Sequence, residues 1–281
     1  MNEELKIEEL LDLAKDAART AAKELSHSLN HEYYEHEYHE ELKKELKAKV
    51  DLVLEEMILP TLLETGIPVL SEESGYIGNN KDTSYKFILD PLDGTYNFIR
   101  GSGPSAISIG LVKNDSPSDL EFVFGVIYDL EKDRLIWGGK RFGSYCNNTK
   151  ILVSDINLLS ETVLFSGFPV RFDFDENNQH IWDLYHNVAK VRMIGSAAMS
   201  LVNVAMGTAD AYFEENIMLW DVAAGLAIVE GSGGDNHILS HGDLFIEGKD
   251  PVTLISANSN LTSIIRRDHM TPDNRGKKND E

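Results

Sequence analysis

The chain has 281 residues, a formal net charge of −21 and a pI near 4.8, and this length allows one large domain or two ordinary ones. Its 42% hydrophobic and 26% charged residues are typical of a soluble globular protein, and the excess of acid disfavours a nucleic acid or an anionic membrane surface as partner. The one cysteine, Cys146, excludes an intramolecular disulfide and a thiolate metal cluster.

The first 65 or so residues predict helices, because apolar residues recur at helical spacing and no Gly or Pro precedes Pro60. One amphipathic helix starts in the region 5–14, and VDLVLEEMILPTLLETG predicts a second that ends near Gly66 and Pro68. The role of the polar His/Glu-rich segment 27–50 stays open. The acidic start, MNEELKIEELL, is unlike a signal peptide, and no apolar run approaches the ~20 residues of a membrane span. We therefore expect a cytoplasmic protein.

Short β-rich runs follow, namely KFILD, SAISIGLVK, EFVFGVIYD and DRLIWGGK, and they predict a meandering, largely antiparallel sheet. From residue 151 strand-like and helix-like segments alternate, which is an α/β pattern. We predict an α+β sub-domain over residues 1–150, a closely packed α/β sub-domain over 151–268, and a polar tail over 269–281.

Acidic side chains stand directly after apolar segments at three places. Glu72 and Glu73 lie in VLSEESG, Asp90 and Asp93 lie in DPLDGT, and Asp221 lies in LWDVAAG. A single acid in such a position is more often a helix N-cap or part of a surface turn. Several buried carboxylates are costly unless a cation meets them, and hard oxygen ligands suit Mg²⁺. Together the three places predict a shared metal site.

Two predicted turns next to these acids fit an anionic ligand. Gly94 permits a tight turn, and Thr95 then stands near a helix start, where free amides favour phosphate. The segment GSAA, residues 195–198, opens another predicted helix in the same way. Metals beside anion-binding turns indicate phosphate-ester hydrolysis, because metals activate water and neutralise the leaving oxygen.

Several segments carry a resemblance to a known family. SEES, DPLDGTYNF and WDVAAGLAIVEGSGG, with SYCNNTKI, GSAA and GTADAYFE in order, resemble the motifs of the inositol monophosphatase family. That family belongs to the Mg²⁺-dependent, lithium-sensitive phosphatase superfamily. The likeness covers roughly residues 50 to 265, and the paired motifs are highly specific.

The resemblance implies a layered α-β-α-β-α sandwich, usually a dimer, with two to three Mg²⁺ ions in each site. It implies metal ligands at Glu72, Asp90, the Leu92 carbonyl, Asp93 and Asp221. It assigns catalytic roles to Thr95, Glu72 and Asp51, with the proton of the attacking water drawn off through Thr95. It places the phosphate or the hydroxyls of a small phosphorylated polyol or sugar at Gly94, Thr95, Gly195, Ser196, Ala197 and Glu214.

The segment before Asp51 departs from the family pattern. The family has a basic residue and a threonine-containing loop there, whereas this chain has ELKKELKAKV, which predicts a continued helix. The TYNF after the DGT is of the inositol monophosphatase style, unlike that of bisphosphate nucleotidases.

The motifs favour a Mg²⁺-dependent phosphomonoesterase of small polyol or sugar phosphates, with inositol 1-phosphate as the leading candidate. Fructose-1,6-bisphosphatase and 3′(2′),5′-bisphosphate nucleotidase activities are alternatives with the same chemistry. A catalytically silent relative that binds phosphate ligands is a third possibility.

Two further motifs are set aside. HEYYEHEYHEEL has histidines at spacings that differ from the zincin pattern, and a solvated helix is the better interpretation. DFDENNQHIWDL begins like a calcium loop but lacks its glycine and its final glutamate, which indicates a polar surface loop.

Overall fold

The computed structural model describes residues 3–32, 40–78, 83–114, 120–168, 178–240 and 251–269. Its helices are α1 (Glu3–Glu32), α2 (Glu40–Leu63), α3 (Thr95–Arg100), α4 (Gln179–Asn187), α5 (Ala197–Ala205), α6 (Leu219–Gly231) and α7 (Ser259–His269). Its strands are β1 (Val69–Ser71), β2 (Gly75–Ile77), β3 (Tyr85–Asp93), β4 (Ala106–Asn114), β5 (Leu120–Asp129), β6 (Arg134–Gly139), β7 (Gly143–Cys146), β8 (Thr149–Ile151), β9 (Val163–Ser166), β10 (Lys190–Arg192), β11 (Ala211–Ile217), β12 (Asp235–Ser240) and β13 (Val252–Ala257).

The strands form two sheets. The larger sheet has eight strands in the order β2-β1-β3-β4-β5-β6-β7-β8, and it is antiparallel from β3 to β8. This confirms the predicted meander, to which β1 adds a parallel pairing with β3. The second sheet, in the order β10-β9-β11-β13-β12, has five strands of mixed direction. Helices α4 to α7 lie between or after its strands along the chain, which is the predicted α/β pattern, except that β13 follows β12 with no helix between them in the described residues.

Helices cover both sheets in layers. Apolar residues of α1 and α2 share a core with β3, β4 and β5, while α5 and α6 share another core with both sheets. Residues of α4 and α7 pack on the far face of the second sheet. The alternation of strand side chains serves two layers, since Phe87 and Leu89 face α1 and α2 whereas Ile88 faces the α5–α6 layer. The predicted α-β-α-β-α sandwich is therefore confirmed.

The change from one sheet to the other falls between Ile151 and Val163. Helix α6 contacts strands of both sheets, so the middle layer belongs to each of them. The two sub-domains with a boundary at residue 150 stay a prediction. Helix α7 ends at His269, where the predicted tail begins, and residues 270–281 lie outside the described part of the chain.

Helix α2 starts at Glu40 and runs through Asp51, so the charged run before Asp51 is helical, as predicted. The histidines of the zincin-like motif at positions 36 and 39 lie outside the described residues, as do positions 173–177 of the calcium-loop-like motif. The rest of the second motif belongs to α4 and buries Ile181 and Leu184, so the predicted surface loop is wrong there. Among the described residues, no helix has the length and apolar character of a membrane span.

Helix α6 lies very close to the larger sheet, and this close approach sets the position of the amino-terminal end of α6. Gly110 of β4 and Gly125 of β5 pair with each other, and a Cβ atom at either would meet Ala224 of α6. A Cβ atom added at Gly125 would lie 1.9 Å from the carbonyl oxygen of Ala224 in α6. The missing side chains therefore let α6 lie on the sheet, with Asp221 in its first turn.

Candidate active site

A β-bulge at the end of β3 turns two aspartates to the same side of the larger sheet. Asp90 pairs with Ser108 of β4. Asp93, three residues later, pairs with Ala106, only two residues from Ser108. Because partners across a ladder share a face, the extra residue places both carboxylates on one face, where a regular strand would separate them. Pro91 lies in this bulge, a position where a missing N–H is tolerated.

Three carboxylates from distant parts of the chain converge beside this bulge. One oxygen from each of Glu72, Asp90 and Asp221 lies within 4.8 Å of the others. The Glu72 backbone N–H donates to the Leu89 carbonyl at 3.1 Å, which ties the turn after β1 to β3. The Asp221 carboxylate accepts the Met218 N–H at 3.2 Å at the start of α6. Strand ends and a helix start thus form one acidic cluster.

The electrostatics of this cluster favour a bound cation. Burial raises the pKa of Asp90 well above its usual range, and the charges of Glu72, Asp93 and Asp221 raise it further. Burial also raises the pKa of Asp221, and the charges of Asp93, Glu72 and Glu214 raise it further. Oδ1 of Asp90 accepts the Leu92 N–H at 3.0 Å, whereas its buried Oδ2 receives no hydrogen bond from the described residues. A divalent cation fits this donor set, because it would satisfy that oxygen and neutralise the clustered charge.

Asp93 faces the amino-terminal end of α5. Its carboxylate accepts the Ser196 hydroxyl and the N–H groups of Ala198 at 2.9 Å and Ala197 at 3.3 Å. Burial raises the pKa of Asp93 to about 6, although these hydrogen bonds favour the charged form. The amides for which a phosphate role was predicted therefore bind a carboxylate of the chain itself. Asp93 lies outside the group of three acids, within electrostatic reach of it.

The turn after β3 packs directly against the segment before α5. Gly94 has φ 79°, and a Cβ atom there would lie 2.8 Å from the Pro104 carbonyl oxygen, so a side chain does not fit. Asn97 Nδ2 lies 2.7 Å from the Ile194 carbonyl oxygen, 2.8 Å from that of Pro104 and 3.2 Å from that of Gly195. Asn97 thereby holds the predicted substrate positions Gly94 and Gly195 next to each other.

Thr95 and Asp51 meet although 44 residues separate them. The Thr95 hydroxyl lies 3.5 Å from Asp51 Oδ1 on α2 and 3.0 Å from the Leu92 carbonyl oxygen. Both residues are buried, Asp51 at 1% exposure and Thr95 at 8%. The altered segment before Asp51 therefore leaves this aspartate beside the threonine, as the resemblance implies. The Thr95 hydroxyl has one hydrogen and can donate it to Asp51 Oδ1 or to the Leu92 carbonyl oxygen, which retains a second lone pair in either case.

Glu214 extends the group of acids from the second sheet. The Tyr212 hydroxyl donates to Glu214 Oε2 at 2.6 Å. Burial raises the pKa of Glu214 to about 7, and the charge of Asp93 contributes to the same direction. Gly167 lies against this carboxyl group, since a Cβ atom there would be 2.2 Å from Oε2. The predicted polyol contact thus has a fixed carboxyl group near the site.

Comparison with known proteins agrees with this geometry. The family model described as the inositol monophosphatase family matches residues 6–266. The chain belongs to the inositol monophosphatase family. It is therefore a phosphoric monoester hydrolase of a metal-dependent family that acts on phosphorylated small molecules.

Individual relatives differ in their names. The chain is 35% identical over 189 residues to the fructose-1,6-bisphosphatase/inositol-1-monophosphatase of Aquifex aeolicus, covering 66% of this chain and 69% of that protein. It is 36% identical over 192 residues to the Nus factor SuhB of Xylella fastidiosa, covering 66% of each chain. The solved structure of inositol monophosphatase from Anabaena superimposes with a TM-score of 0.75 at 29% identity, over 94% of this chain and 96% of that one.

Three residues at the site escaped the reasoning from sequence. Asn97 was quoted as part of a motif without a role, because its acceptors lie on remote segments. Tyr212 stands two residues before Glu214 and so on the same face of its strand. Glu55 stands one helical turn after Asp51 and is 3% exposed. For the last two residues, periodicity was a usable signal.

Proposed function

We propose that this chain is a Mg²⁺-dependent phosphomonoesterase of small polyol or sugar phosphates, with inositol 1-phosphate as the leading substrate. The observation that carries the proposal is the convergence of the Glu72–Asp90–Asp221 carboxylates with the buried Thr95–Asp51 pair. The three carboxylates would bind a cation, and the Thr95–Asp51 pair would accept a proton. Their juxtaposition, next to Leu92, supports hydrolysis by an activated water.

Each of these residues has a task in that reaction. Glu72, Asp90, Asp221, Asp93 and the Leu92 carbonyl would hold two to three Mg²⁺ ions. When bound, these ions would acidify a water molecule and neutralise charge on the phosphate and on the leaving oxygen.

The Thr95 hydroxyl would accept the water's proton while its own passes to Asp51, because the two side chains are already within hydrogen-bonding reach. Glu72 is more exposed than Thr95 and Asp51, and it would orient the attacking water.

Substrate selection would come from the groups around this centre. Glu214 would accept hydrogen bonds from polyol hydroxyls, and its contact with Tyr212 fixes one of its oxygens. Gly94, Thr95, Gly195, Ser196 and Ala197 would line the phosphate and hydroxyl positions. The relative from Aquifex aeolicus carries fructose-1,6-bisphosphatase in its name, which makes fructose 1,6-bisphosphate the second candidate.

We also propose that the enzyme is a cytoplasmic homodimer, as the family resemblance implies. Light scattering coupled to gel filtration would measure the mass directly. A mass of one chain, 31.4 kDa, at micromolar concentration would contradict the dimer.

The test of the function is phosphate release with and without Mg²⁺. The substrates are inositol 1-phosphate, fructose 1,6-bisphosphate, 3′-phosphoadenosine 5′-phosphate and an aryl phosphate. We expect Mg²⁺-dependent release that is highest with inositol 1-phosphate and absent in Asp90→Asn. Release from none of the four substrates by a folded protein that binds Mg²⁺ would favour the silent ligand-binding relative.

A further inference from the structure

Helix α2 presents two buried carboxylates one turn apart, and only the first belongs to the reaction described above. Asp51 reaches Thr95 after β3. Glu55, four residues later on the same face of the helix, reaches the turn after β1. The packing of Leu54, Ile58 and Leu62, all fully buried, fixes this helix on the larger sheet.

Glu55 gathers donors from both ends of the turn that carries Glu72. Oε1 accepts the Ser71 hydroxyl and, at 3.2 Å, the Ser74 backbone N–H. Oε2 accepts the Ser74 hydroxyl at 2.6 Å. Since Glu55 is 3% exposed, these three hydrogen bonds satisfy a carboxylate that water does not reach. None of the ion pairs among the described residues involves Glu55.

The turn is thereby held from two sides. The Glu72 backbone bonds to β3 through the Leu89 carbonyl, one residue before Asp90. Glu55 holds the residues on either side of the turn, Ser71 and Ser74, to α2. One oxygen of the Glu72 carboxyl group then lies within 4.8 Å of oxygens of Asp90 and Asp221. A buried carboxylate that loses its three hydrogen-bond donors costs much free energy. We therefore expect Glu55 to hold the turn after β1 rigidly.

We propose that Glu55 is a positioning residue that holds Glu72 in place for the divalent cation. The inference rests on the proposed metal site, but it does not depend on the substrate or on turnover. Hydrogen-bonded partners that orient metal ligands typically change metal affinity by about 10- to 100-fold when they are removed. Glu55 acts through the turn and touches neither the metal nor the substrate.

The experiment compares Glu55→Ala, Glu55→Gln and Ser74→Ala with the wild-type protein. The matched control is Glu56→Ala, which removes the same charge from an exposed neighbouring position of α2. Mn²⁺ and Mg²⁺ binding is measured by titration calorimetry without substrate, and urea unfolding of the metal-free proteins measures the fold separately. The metal-induced rise in unfolding temperature gives a third readout.

We expect Glu55→Ala to weaken Mn²⁺ affinity about 10- to 100-fold and Ser74→Ala to weaken it less. Glu55→Gln should lie near the wild type, because an amide oxygen can accept two of the donors and its NH₂ can donate to the Ser74 hydroxyl. The control should bind as the wild type does. If Glu55→Ala does not fold, the weaker Mn²⁺ affinity expected of Ser74→Ala still tests the inference.

Unchanged Mn²⁺ affinity in the folded variants, with lower stability of the metal-free protein, would overturn the inference and leave Glu55 a structural residue. Failure of the proposed function has a different signature. Wild-type protein that binds Mn²⁺ but releases no phosphate from any substrate would contradict the phosphatase while the effect of Glu55 on affinity remained measurable.

Discussion

The metal-free protein should lose stability as the pH rises, and Asp93 permits a quantitative test. Burial moves the pKa of this carboxyl from 3.8 to about 6 in the folded protein. A group with a raised folded-state pKa binds its proton more tightly when folded, so stability is greatest below pH 3.8 and falls until about pH 6. A pKa difference of about two corresponds to ~3 kcal/mol in total, of which roughly 2 kcal/mol falls above pH 4.

The assay is urea unfolding in EDTA at pH values from about 4 to 7.5, for wild type and Asp93→Asn. Both proteins share the general repulsion of an acidic chain, so their difference reports the proton uptake of Asp93 together with its effect on the neighbouring acids whose pKa it raises, Asp90, Asp221 and Glu214. We expect the wild type to lose roughly 2 kcal/mol more than the variant across this range. Saturating Mg²⁺ should remove most of the loss, because cation binding favours ionised acids. Parallel wild-type and variant curves in EDTA would refute the assigned burial and charge of Asp93.

Further substitutions test other parts of the site. Asp93→Asn should also abolish turnover in Mg²⁺ while circular dichroism shows an intact fold; a near-normal rate would contradict its metal role. Thr95→Val should lower kcat about 100-fold or more, as loss of a proton-transfer group does, with Mg²⁺ affinity in calorimetry unchanged; equal losses in both would indicate a packing role. Glu214→Gln should reduce kcat/KM for inositol 1-phosphate more than for an aryl phosphate, and equal losses would make it structural. Gly125→Ala should destabilise the fold by several kcal/mol in urea, because its Cβ would lie 1.9 Å from a carbonyl oxygen of α6; wild-type stability would contradict that close approach.

Local patterns in the sequence predicted the elements well. Burial of one face of an element leaves apolar residues at a regular spacing, and burial of both faces leaves a continuous apolar run. The continuous apolar run in KFILD corresponds to β3, whose side chains serve two layers. The helical spacing of the first 65 residues or so corresponds to α1 and α2. The polar run before Asp51 could be predicted as helix for the same reason. The strand order of the second sheet could not be predicted from such patterns, because its mixed pairing depends on contacts between segments that are distant in the sequence.

For the site, too, local sequence patterns predicted one part and contacts between distant segments determine the other. Residue types and motif spacing indicated which acids belong together, but not how each is used. Asp93 and Asp90 look equivalent in DPLDGT, and the bulge places both on one face of the sheet. Asp90 lies beside Glu72 and Asp221, whereas Asp93 accepts hydrogen bonds from the start of α5. Pairing of an acid with amides about 100 residues away is a tertiary contact. Local propensity carries no record of it.

The arrangement of the acids has a consequence for how the sheets are held together. Asp90 and Asp93 end a strand of the larger sheet, whereas α5 and α6 in the middle layer contact both sheets. Without a cation, repulsion among Glu72, Asp90 and Asp221 opposes the approach of α6 to that strand. After burial, the same repulsion is what raises the pKa values of Asp90 and Asp221. A bound cation would replace this repulsion between the carboxylates with attraction to the cation. It would thereby draw β3, the turn after β1 and α6 together. Metal binding should therefore stabilise the contact between the layers as well as supply the chemistry, because the same carboxylates determine both.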